Sequence, residues 1–374
     1  MITTKTNPMG SVCFDGDSIE FVTKYFENRT IEESCNELIT TKNLFVDKIN
    51  ESKVLEEKLH FPAYNSGLNM FMSNQENIVL FNNGTYHFHL TLPTLTQNSR
   101  IVDYDAFDKT HANAMYLLQW FQPLFIATLG SPDIMGVISQ KFNLDKNYAL
   151  GSMRNAMSRY IGVGTYNKVM PKGKILTYKV EDFRKLLKFT KEENIWWRDQ
   201  IENDMEYNLL SDVGLDFNQE KMYQSGFEFR SFDEFPISYL EDVLYALLLI
   251  CEHSLNVTDV AWGHDSKVWN NIIFKSLKHG YTTEMTAEEK AEVLEVLQLT
   301  HFKSEFEAIV LLDEFFFKIL EVLHDKYKDN NVCINAMSNQ KRDHFTRWNN
   351  FNKFQIEQHK KQIEMVGLEA KISS

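Results

Sequence analysis

The chain has 374 residues, of which 43% are hydrophobic and 24% charged, and its formal net charge at pH 7 is −13. This composition is typical of a soluble globular protein, and the acidic balance argues against general nucleic-acid binding, which requires basic surface to neutralise phosphates. The longest purely apolar run, 243–251, is about half of the roughly 20 residues that a membrane span needs, so it predicts a buried helix and no membrane association.

Two further sequence features bear on the cellular location of the protein and on the type of nucleotide-binding site that it can contain. Residues 1–10 contain no apolar signal core, and the four cysteines include no CxxC pair. We therefore expect a cytoplasmic protein with free thiols. Neither a GxGxxG nor a GxxxxGK[ST] motif is found, so a glycine-rich phosphate-binding loop is not expected.

Strand-like patterns fill roughly the first 100 residues and recur near residue 225. Residues 75–93 predict a hairpin, because two apolar segments flank the turn sequence Asn82-Asn83-Gly84. Strands of antiparallel type followed by helices predict an α+β fold rather than alternating β-α-β units.

Helical periodicity is strong at residues 110–129. Thr286, followed three positions later by Glu289, predicts a capping box at the start of another helix. Residues 305–325 predict one long amphipathic helix, and residues 338–365 predict a terminal helix that lies over the body.

No linker rich in proline, glycine or serine divides the chain. We therefore expect a single domain over 1–374. Its sheet-containing catalytic part is expected at 1–235, and a helical part at 236–374 is expected to pack on it.

Three predicted strands carry polar side chains opposite an apolar face, because side chains alternate with a period of two along a strand. These polar side chains are Glu20 in the first strand, His87 and His89 in the second, and Glu228 and Arg230 in the third. One interpretation is a solvated sheet surface, on which Glu228 and Arg230 form an ion pair worth less than about 1 kcal/mol. The other is a site where the strands converge, with carboxylates and imidazole for a divalent cation and an arginine for phosphate.

The sequence around these strands resembles that of glutamate–cysteine ligases. Gly226-Phe-Glu-Phe-Arg-Ser-Phe-Asp233 resembles the family's Glu-x-Arg-Ser-Leu-Asp strand. Tyr86-His-Phe-His-Leu-Thr-Leu-Pro93 is similar to the His-Tyr-Asn-Phe-Ser-Leu-Pro strand of the bacterial enzymes. Asp17-Ser-Ile-Glu-Phe-Val-Thr23 is similar to their Leu-Glu-Phe-Ile-Thr segment.

Two further blocks extend the resemblance. Residues 111–134, which include Gly130-Ser131-Pro132, are similar to the family's helix that ends in Ala-Ser-Pro or Asn-Ser-Pro. Gly151-Ser-Met-Arg154 occupies the place of the family's Ser-x-Arg segment. The five blocks follow the family's order and cover roughly residues 15–235.

This resemblance implies a curved antiparallel sheet of the glutamine synthetase-like type, with a largely helical C-terminal half. It also implies an ATP- and Mg²⁺-dependent ligase that joins a small-molecule, glutamate-type carboxylate to an amine substrate through an acyl phosphate. The implied site residues are Glu20, His87 and Glu228 as Mg²⁺ ligands, Arg230 and Arg154 as catalytic cations for the phosphoryl group and a substrate anion, and His89 as a substrate or nucleotide contact. Asp233 is expected to orient Arg230 or the turn that follows.

Three more residues are candidates for binding substrate or nucleotide. Tyr160 belongs to an aromatic region that is expected to shape the pocket for the amine acceptor. Lys172 and Lys174 belong to a small basic cluster, which is either part of a solvated loop or a contact for ATP phosphates.

One difference from the family leaves other functions open. The family pattern begins with a Gly-x-Glu-x-Glu strand that supplies two metal carboxylates, and no such sequence precedes Asp15. Because metal affinity depends on the number of ligands, an inactive homologue that serves as a binding or regulatory subunit is an alternative. A phosphotransferase on the same fold is another. The isolated histidines, such as His111 and His253, lack metal-ligand spacing and are predicted to be ordinary surface or core residues.

Overall fold

The structure is a computed structural model that describes separate segments of the chain. These are residues 3–4, 12–15, 18–23, 30–51, 86–98, 100–130, 151–152, 155, 215–218, 226–229, 231–233, 235–329, 345–350, 352–353 and 357. Within them, helices are combined with small, mainly antiparallel sheets, so the predicted α+β class is confirmed at this level. No helix in these segments is long and apolar enough to cross a membrane.

The first sheet is formed by short strands near the start of the chain. Strand β1 (Thr3–Thr4) runs parallel to β2 (Val12–Asp15), and β2 pairs antiparallel with β3 (Ser18–Phe21). The register places Cys13 opposite Glu20. The strand predicted around Glu20 therefore exists as β3.

A second sheet carries the histidine and glutamate motifs. Strands β4 (Phe88–Leu90) and β7 (Leu215–Asn218) both pair antiparallel with β8 (Gly226–Phe229), which lies between them. Of the hairpin predicted at 75–93, the first strand and the turn lie outside the described residues, and the second strand is shorter than predicted.

A short hairpin leads into the central helix of the fold. Strands β5 (Thr96–Gln97) and β6 (Arg100–Ile101) form this hairpin, and helix α2 (Tyr104–Leu129) follows. Asp103 caps α2, because its carboxylate accepts a hydrogen bond from the Ala106 amide at 2.9 Å. The helix predicted in this region is therefore confirmed, and the cap makes it start earlier than its apolar periodicity indicates.

The remaining helices lie mainly in the last third of the chain. They are α1 (Ile31–Glu51), α3 (Leu240–Ser254), α4 (Lys267–His279), α5 (Ala287–Val296), α6 (Lys303–Phe306) and α7 (Leu312–Tyr327). Helix α3 is almost completely buried, as its apolar sequence predicted. The capping box at the start of α5 is also confirmed, since Thr286 and Glu289 each accept a hydrogen bond from the other's backbone amide.

Helix α2 is buried on all sides from Leu117 to Leu129, and it contacts α3, α4, α7 and β8. Pro123 lies inside it and has no amide hydrogen, so the carbonyl of Gln119, four residues earlier, loses its usual helical donor. The indole of Trp269 donates to this carbonyl at 2.8 Å. The proline is thus tolerated because a side chain from α4 replaces the missing hydrogen bond.

The single long helix predicted at 305–325 is wrong, because helix α6 ends at Phe306, a turn follows, and Leu311 pairs with Glu284 in a β-bridge before α7 begins. The Met285 amide donates to the Val310 carbonyl, and the Leu312 amide donates to the Thr283 carbonyl, each at 2.9 Å. Lys290 also donates to three carbonyls in this break, those of Phe306, Glu307 and Ile309, at 2.7–3.0 Å. These tertiary hydrogen bonds favour the extended conformation over continuous helix.

The terminal helix predicted at 338–365 is confirmed in its described part. Residues 345–350 are helical, and the indole of Trp348 is buried. Its ring stacks on Phe125 at a centroid distance of 6.0 Å and meets Phe317 edge-on at 5.2 Å. This segment therefore packs on both α2 and α7, as expected for a helix that lies over the body.

The described cysteines are free thiols, in agreement with the prediction. They are Cys13, Cys35 and Cys251, all of them buried. Burial, together with the nearby carboxylates of Glu241 and Asp242, raises the pKa of the Cys35 thiol to about 12. This thiol is therefore protonated at neutral pH and packs as an apolar group.

Gly151 lies where two backbones are in direct contact. Its amide donates to the Leu277 carbonyl at 2.9 Å, and a Cβ atom at this position would lie 2.1 Å from the Ser276 carbonyl oxygen. We expect Gly151→Ala to lower the free energy of unfolding by at least about 2 kcal/mol, because backbone rather than a flexible side chain must move. Denaturant unfolding measures the change, and a variant within about 0.5 kcal/mol of the wild type would contradict this packing.

Candidate functional site

The candidate site lies on the face of strands β4 and β8 that points away from helix α2. The opposite face is apolar and buried, and its residues are Phe88, Leu90, Phe227 and Phe229. Phe229 packs edge-on against Phe125 of α2, with ring centroids 5.6 Å apart. The predicted alternation in these two strands is therefore confirmed, and it leaves His89 and Glu228 on the other face.

The Glu228 carboxylate is close to two imidazoles. Its Oε1 atom is 3.2 Å from His87 Nδ1 and 3.5 Å from His89 Nε2, and His89 is the Cα partner of Glu228 in the ladder. Glu228 is only 6% exposed. A buried carboxylate is costly unless it is paired, and the imidazoles are its described partners. The interpretation of Glu228 as part of a solvated sheet surface is therefore wrong.

Glu20, the third predicted metal ligand, lies on the first sheet. The Cys13 thiol donates to Glu20 Oε2 at 3.5 Å across the β2–β3 ladder. Among the described residues, no ion pair or hydrogen bond joins Glu20 to His87 or Glu228, and no three His, Cys, Asp or Glu side chains are grouped to hold a metal ion. Ile19, on the apolar side of this strand, is 38% exposed, so that face is not buried at this position.

Strand β7 places an acidic residue in register with Glu228, which the sequence predictions missed. Asp216 is the Cα partner of Glu228 in the β7–β8 ladder, and His89 is the partner of Glu228 in the β4–β8 ladder. These three residues are therefore directly opposite one another on adjacent strands. A signal was present, because Leu215-Asp216-Phe217 has the same apolar–acidic–apolar pattern as Phe227-Glu228-Phe229. The pattern spans only three residues, which is too short to distinguish a strand from a loop by alternation alone.

Beyond the end of β8, five buried polar residues form what we call the polar network. They are Gln122, Ser152, Asn155, Ser231 and Asp233, each no more than 2% exposed. Gln122 of α2 donates through Nε2 to Ser231 Oγ at 2.8 Å. This hydrogen bond connects the central helix to the chain immediately after the candidate site.

Ser152 and Asn155 connect the polar network to a second segment of chain. Ser152 Oγ donates to Asp233 Oδ2 at 2.6 Å, and it accepts from the Asn155 backbone amide at 3.1 Å and from Asn155 Nδ2 at 2.8 Å. Asn155 Nδ2 also donates to the Ser231 carbonyl at 3.1 Å. Asp233 thus holds the segment at 151–155, while the contact predicted between Asp233 and Arg230 lies outside the described residues.

Several predicted site residues lie outside the residues whose side chains are described. They are Arg154, Tyr160, Lys172, Lys174 and Arg230. Their roles stay predictions. Arg154 and Arg230 are each followed directly in sequence by a member of the polar network, Asn155 and Ser231, so the network holds the chain next to both arginines.

His111 anchors the end of the site's edge strand to helix α2. The Leu92 amide donates to His111 Nε2 at 3.0 Å, and His111 Nδ1 lies 2.8 Å from the Phe107 carbonyl, to which it donates. Burial lowers the pKa of His111 to about 4. The ring is therefore neutral at pH 7, and the prediction of a core histidine is confirmed here.

Comparisons with known proteins show a sequence relationship without a stated activity. The chain is similar to "Uncharacterized protein R704" of Acanthamoeba polyphaga mimivirus, with 34% identity over 332 residues. The match covers 87% of this chain and 56% of the mimivirus protein, so the chain spans about half of that relative's length. No protein-family model and no solved structure matches the chain.

Proposed function

We propose that the chain is an ATP- and Mg²⁺-dependent carboxylate–amine ligase of the glutamate–cysteine ligase type, on a glutamine synthetase-like sheet. The observation that supports this proposal is the buried Glu228 carboxylate, 3.2 Å from His87 and 3.5 Å from His89 on a neighbouring segment. These residues belong to motifs that resemble the ligase strands. A cytoplasmic location is part of the proposal, because the reaction consumes ATP.

The donor atoms at Glu228 and His87 suit a divalent cation. Glu228 is held in the β4–β8 ladder and His87 directly precedes β4, which favours a fixed geometry, and Glu20 is the third ligand in the proposal. When bound, Mg²⁺ would neutralise charge on the ATP phosphates. The burial of Glu228 lowers the local dielectric constant, so its carboxylate attracts a cation more strongly than an exposed one does.

The proposed reaction has two steps. A carboxylate oxygen of the glutamate-type substrate attacks the γ-phosphorus of ATP, the bond from that phosphorus to the bridging oxygen breaks, and ADP leaves. The amine nitrogen then attacks the acyl carbon, phosphate leaves, and the nitrogen loses a proton to give the amide. Arg230 is proposed to stabilise charge on the transferring phosphoryl group, and Arg154 to bind the substrate anion.

The remaining predicted residues serve binding in this proposal. His89 is the described member of the group, and its imidazole is 34% exposed beside Glu228, so it is accessible to a nucleotide or substrate. Tyr160 is proposed to contact the amine substrate. Lys172 and Lys174 are proposed to contact the ATP phosphates.

A direct assay tests the proposal. Purified chain is incubated with ATP, Mg²⁺ and glutamate, alone and with cysteine or a panel of other amines. We expect ADP release that depends on the amine, phosphate in equal amount, and a product with the mass of the two substrates minus water. Absence of amine-dependent ADP release in every combination would contradict the ligase proposal, and a phosphorylated acceptor without amide would identify a phosphotransferase.

A catalytically inactive homologue that acts as a binding or regulatory subunit is the second candidate, and the position of Glu20 favours it. Glu20 accepts a hydrogen bond from Cys13 on the first sheet. Among the described residues, only two of the three predicted metal ligands, His87 and Glu228, are therefore in contact with each other. This candidate predicts that a non-hydrolysable ATP analogue binds, as measured by calorimetry, although no amine gives turnover.

A further inference from the structure

The polar network connects the two chain segments that carry the predicted catalytic arginines. Arg154 is followed by Asn155, and Arg230 is followed by Ser231. Asn155 Nδ2 donates to the Ser231 carbonyl at 3.1 Å. One side chain therefore links the residues that directly follow the two arginines, although these residues are far apart in sequence.

Asn155 uses both of its amide hydrogens in the described contacts. Nδ2 donates to Ser152 Oγ at 2.8 Å and to the Ser231 carbonyl at 3.1 Å, and an asparagine amide has two donors. The residue is 2% exposed. Water therefore cannot easily replace these hydrogen bonds when the side chain is removed.

Two further hydrogen bonds hold the segments that Asn155 links. Gln122 donates to Ser231 Oγ at 2.8 Å from helix α2, and Ser152 donates to Asp233 at 2.6 Å. The part of helix α2 that contains Gln122 is itself buried on all sides. The relative position of the two segments is thus fixed by hydrogen bonds to a rigid part of the fold.

We infer that Asn155 is a positioning residue, which fixes its own segment relative to Ser231 and thereby serves the two arginines that directly precede Asn155 and Ser231 in sequence. The inference rests on the proposed ligase function, in which both arginines act on the reacting groups. A catalytic group displaced by about 1 Å can lose roughly 100-fold in rate. The linkage by Asn155 therefore affects the chemical step, although Asn155 itself is buried among protein groups.

Two substitutions of Asn155 test this role. Asn155→Ala removes both hydrogen bonds, and Asn155→Asp keeps the size of the side chain but removes both donors. We expect kcat to fall about 10- to 100-fold in each variant. KM for ATP is expected to change less than about threefold, because transition-state stabilisation is lost rather than ground-state binding.

Asn352→Ala is a matched control in the helical part of the chain. Asn352 is 1% exposed and donates through Nδ2 to Asp313 Oδ2 at 2.8 Å, so this variant also removes a buried asparagine amide. Both alanine variants are expected to lower the denaturation midpoint by similar amounts. Only Asn155→Ala is expected to lower kcat, which separates a positioning role from a structural one.

The outcomes distinguish this inference from the proposed function. If the wild-type chain has no amine-dependent turnover, the proposed function is refuted, and the inference with it. If the wild type is active and the kcat of Asn155→Ala equals that of Asn352→Ala, the inference alone is refuted. Should Asn155→Ala and Asn155→Asp fail to fold, Asn155→Ser keeps a small polar side chain that is too short to reach the Ser231 carbonyl, and an unchanged kcat in that variant would equally refute the inference.

Discussion

Replacing Glu228 by glutamine is expected to lower kcat/KM for ATP-dependent turnover on the order of 1000-fold. The substitution keeps the size of the side chain but removes the buried negative charge, which in the ligase proposal binds Mg²⁺. The amide oxygen can still accept a hydrogen bond from His87 or His89, so we expect little change in the free energy of unfolding. Steady-state ADP release and denaturant unfolding measure the two effects.

Glu289→Gln is a suitable control for this substitution. Glu289 is 3% exposed, and its carboxylate is 2.8 Å from Lys275 Nζ, so it is another buried carboxylate with a basic partner. Its replacement is expected to reduce stability without reducing kcat/KM. Retention of activity in Glu228→Gln would show that the site assignment is wrong, even if the ligase function were right.

Lowering the pH from 7 to 5 is expected to destabilise the fold through His111 and His253. Burial is the main cause that lowers the pKa of each imidazole to about 4. Both rings are buried and hydrogen-bonded as neutral groups. For His253, Nε2 donates to the Leu297 carbonyl and Nδ1 accepts from the Tyr327 hydroxyl, each at 2.8 Å.

The direction of this pH effect follows from proton uptake on unfolding. Between about pH 6.5 and pH 4, the unfolded imidazoles bind protons and the folded ones do not, so the folded state loses stability as the pH falls. The difference between pH 7 and pH 5 amounts to about 2 kcal/mol for each histidine. The stabilisation is fully present above about pH 6.5.

Variants isolate this contribution from that of other titrating groups. The free energy of unfolding is measured at pH 7 and pH 5 for the wild type and for His253→Gln. We expect the pH-dependent loss to be smaller in the variant by about 2 kcal/mol, because one of the two neutral imidazoles is absent. An equal loss in both proteins would contradict the assignment of a buried neutral His253.

Elements that depend on neighbouring residues were predictable from sequence. The Thr286–Glu289 capping box predicted the start of α5, and continuous apolar sequence predicted the buried helix α3. The two-residue alternation predicted the buried faces of β4 and β8. In each case the stabilising groups lie within a few positions of one another.

Elements that depend on distant contacts were not predictable in the same way. The helix predicted at 305–325 is interrupted because Lys290 and the extended segment at 283–285 bind its backbone. Helical periodicity is present on both sides of this break. It contains no information about the hydrogen bonds that favour an extended chain there.

The same distinction between local and distant contacts applies to the candidate site. Proximity of His87 to Glu228 was expected from motifs and alternation, and the structure shows the pair. The polar network was not predicted, because its hydrogen bonds from Gln122 and Asn155 to Ser231 join positions 109 and 76 residues apart. Buried polar residues of this kind have no periodic signature in the sequence.

Isotope transfer tests the acyl-phosphate mechanism most directly. The chain is incubated with ATP, Mg²⁺, an amine and glutamate in which both oxygens of the side-chain carboxylate are ¹⁸O, and the released phosphate is analysed by mass spectrometry. The carboxylate oxygen that attacks the γ-phosphorus leaves with phosphate, so the ligase proposal predicts one ¹⁸O in each phosphate for each amide formed. Phosphate released with no ¹⁸O, alongside ADP, would contradict it.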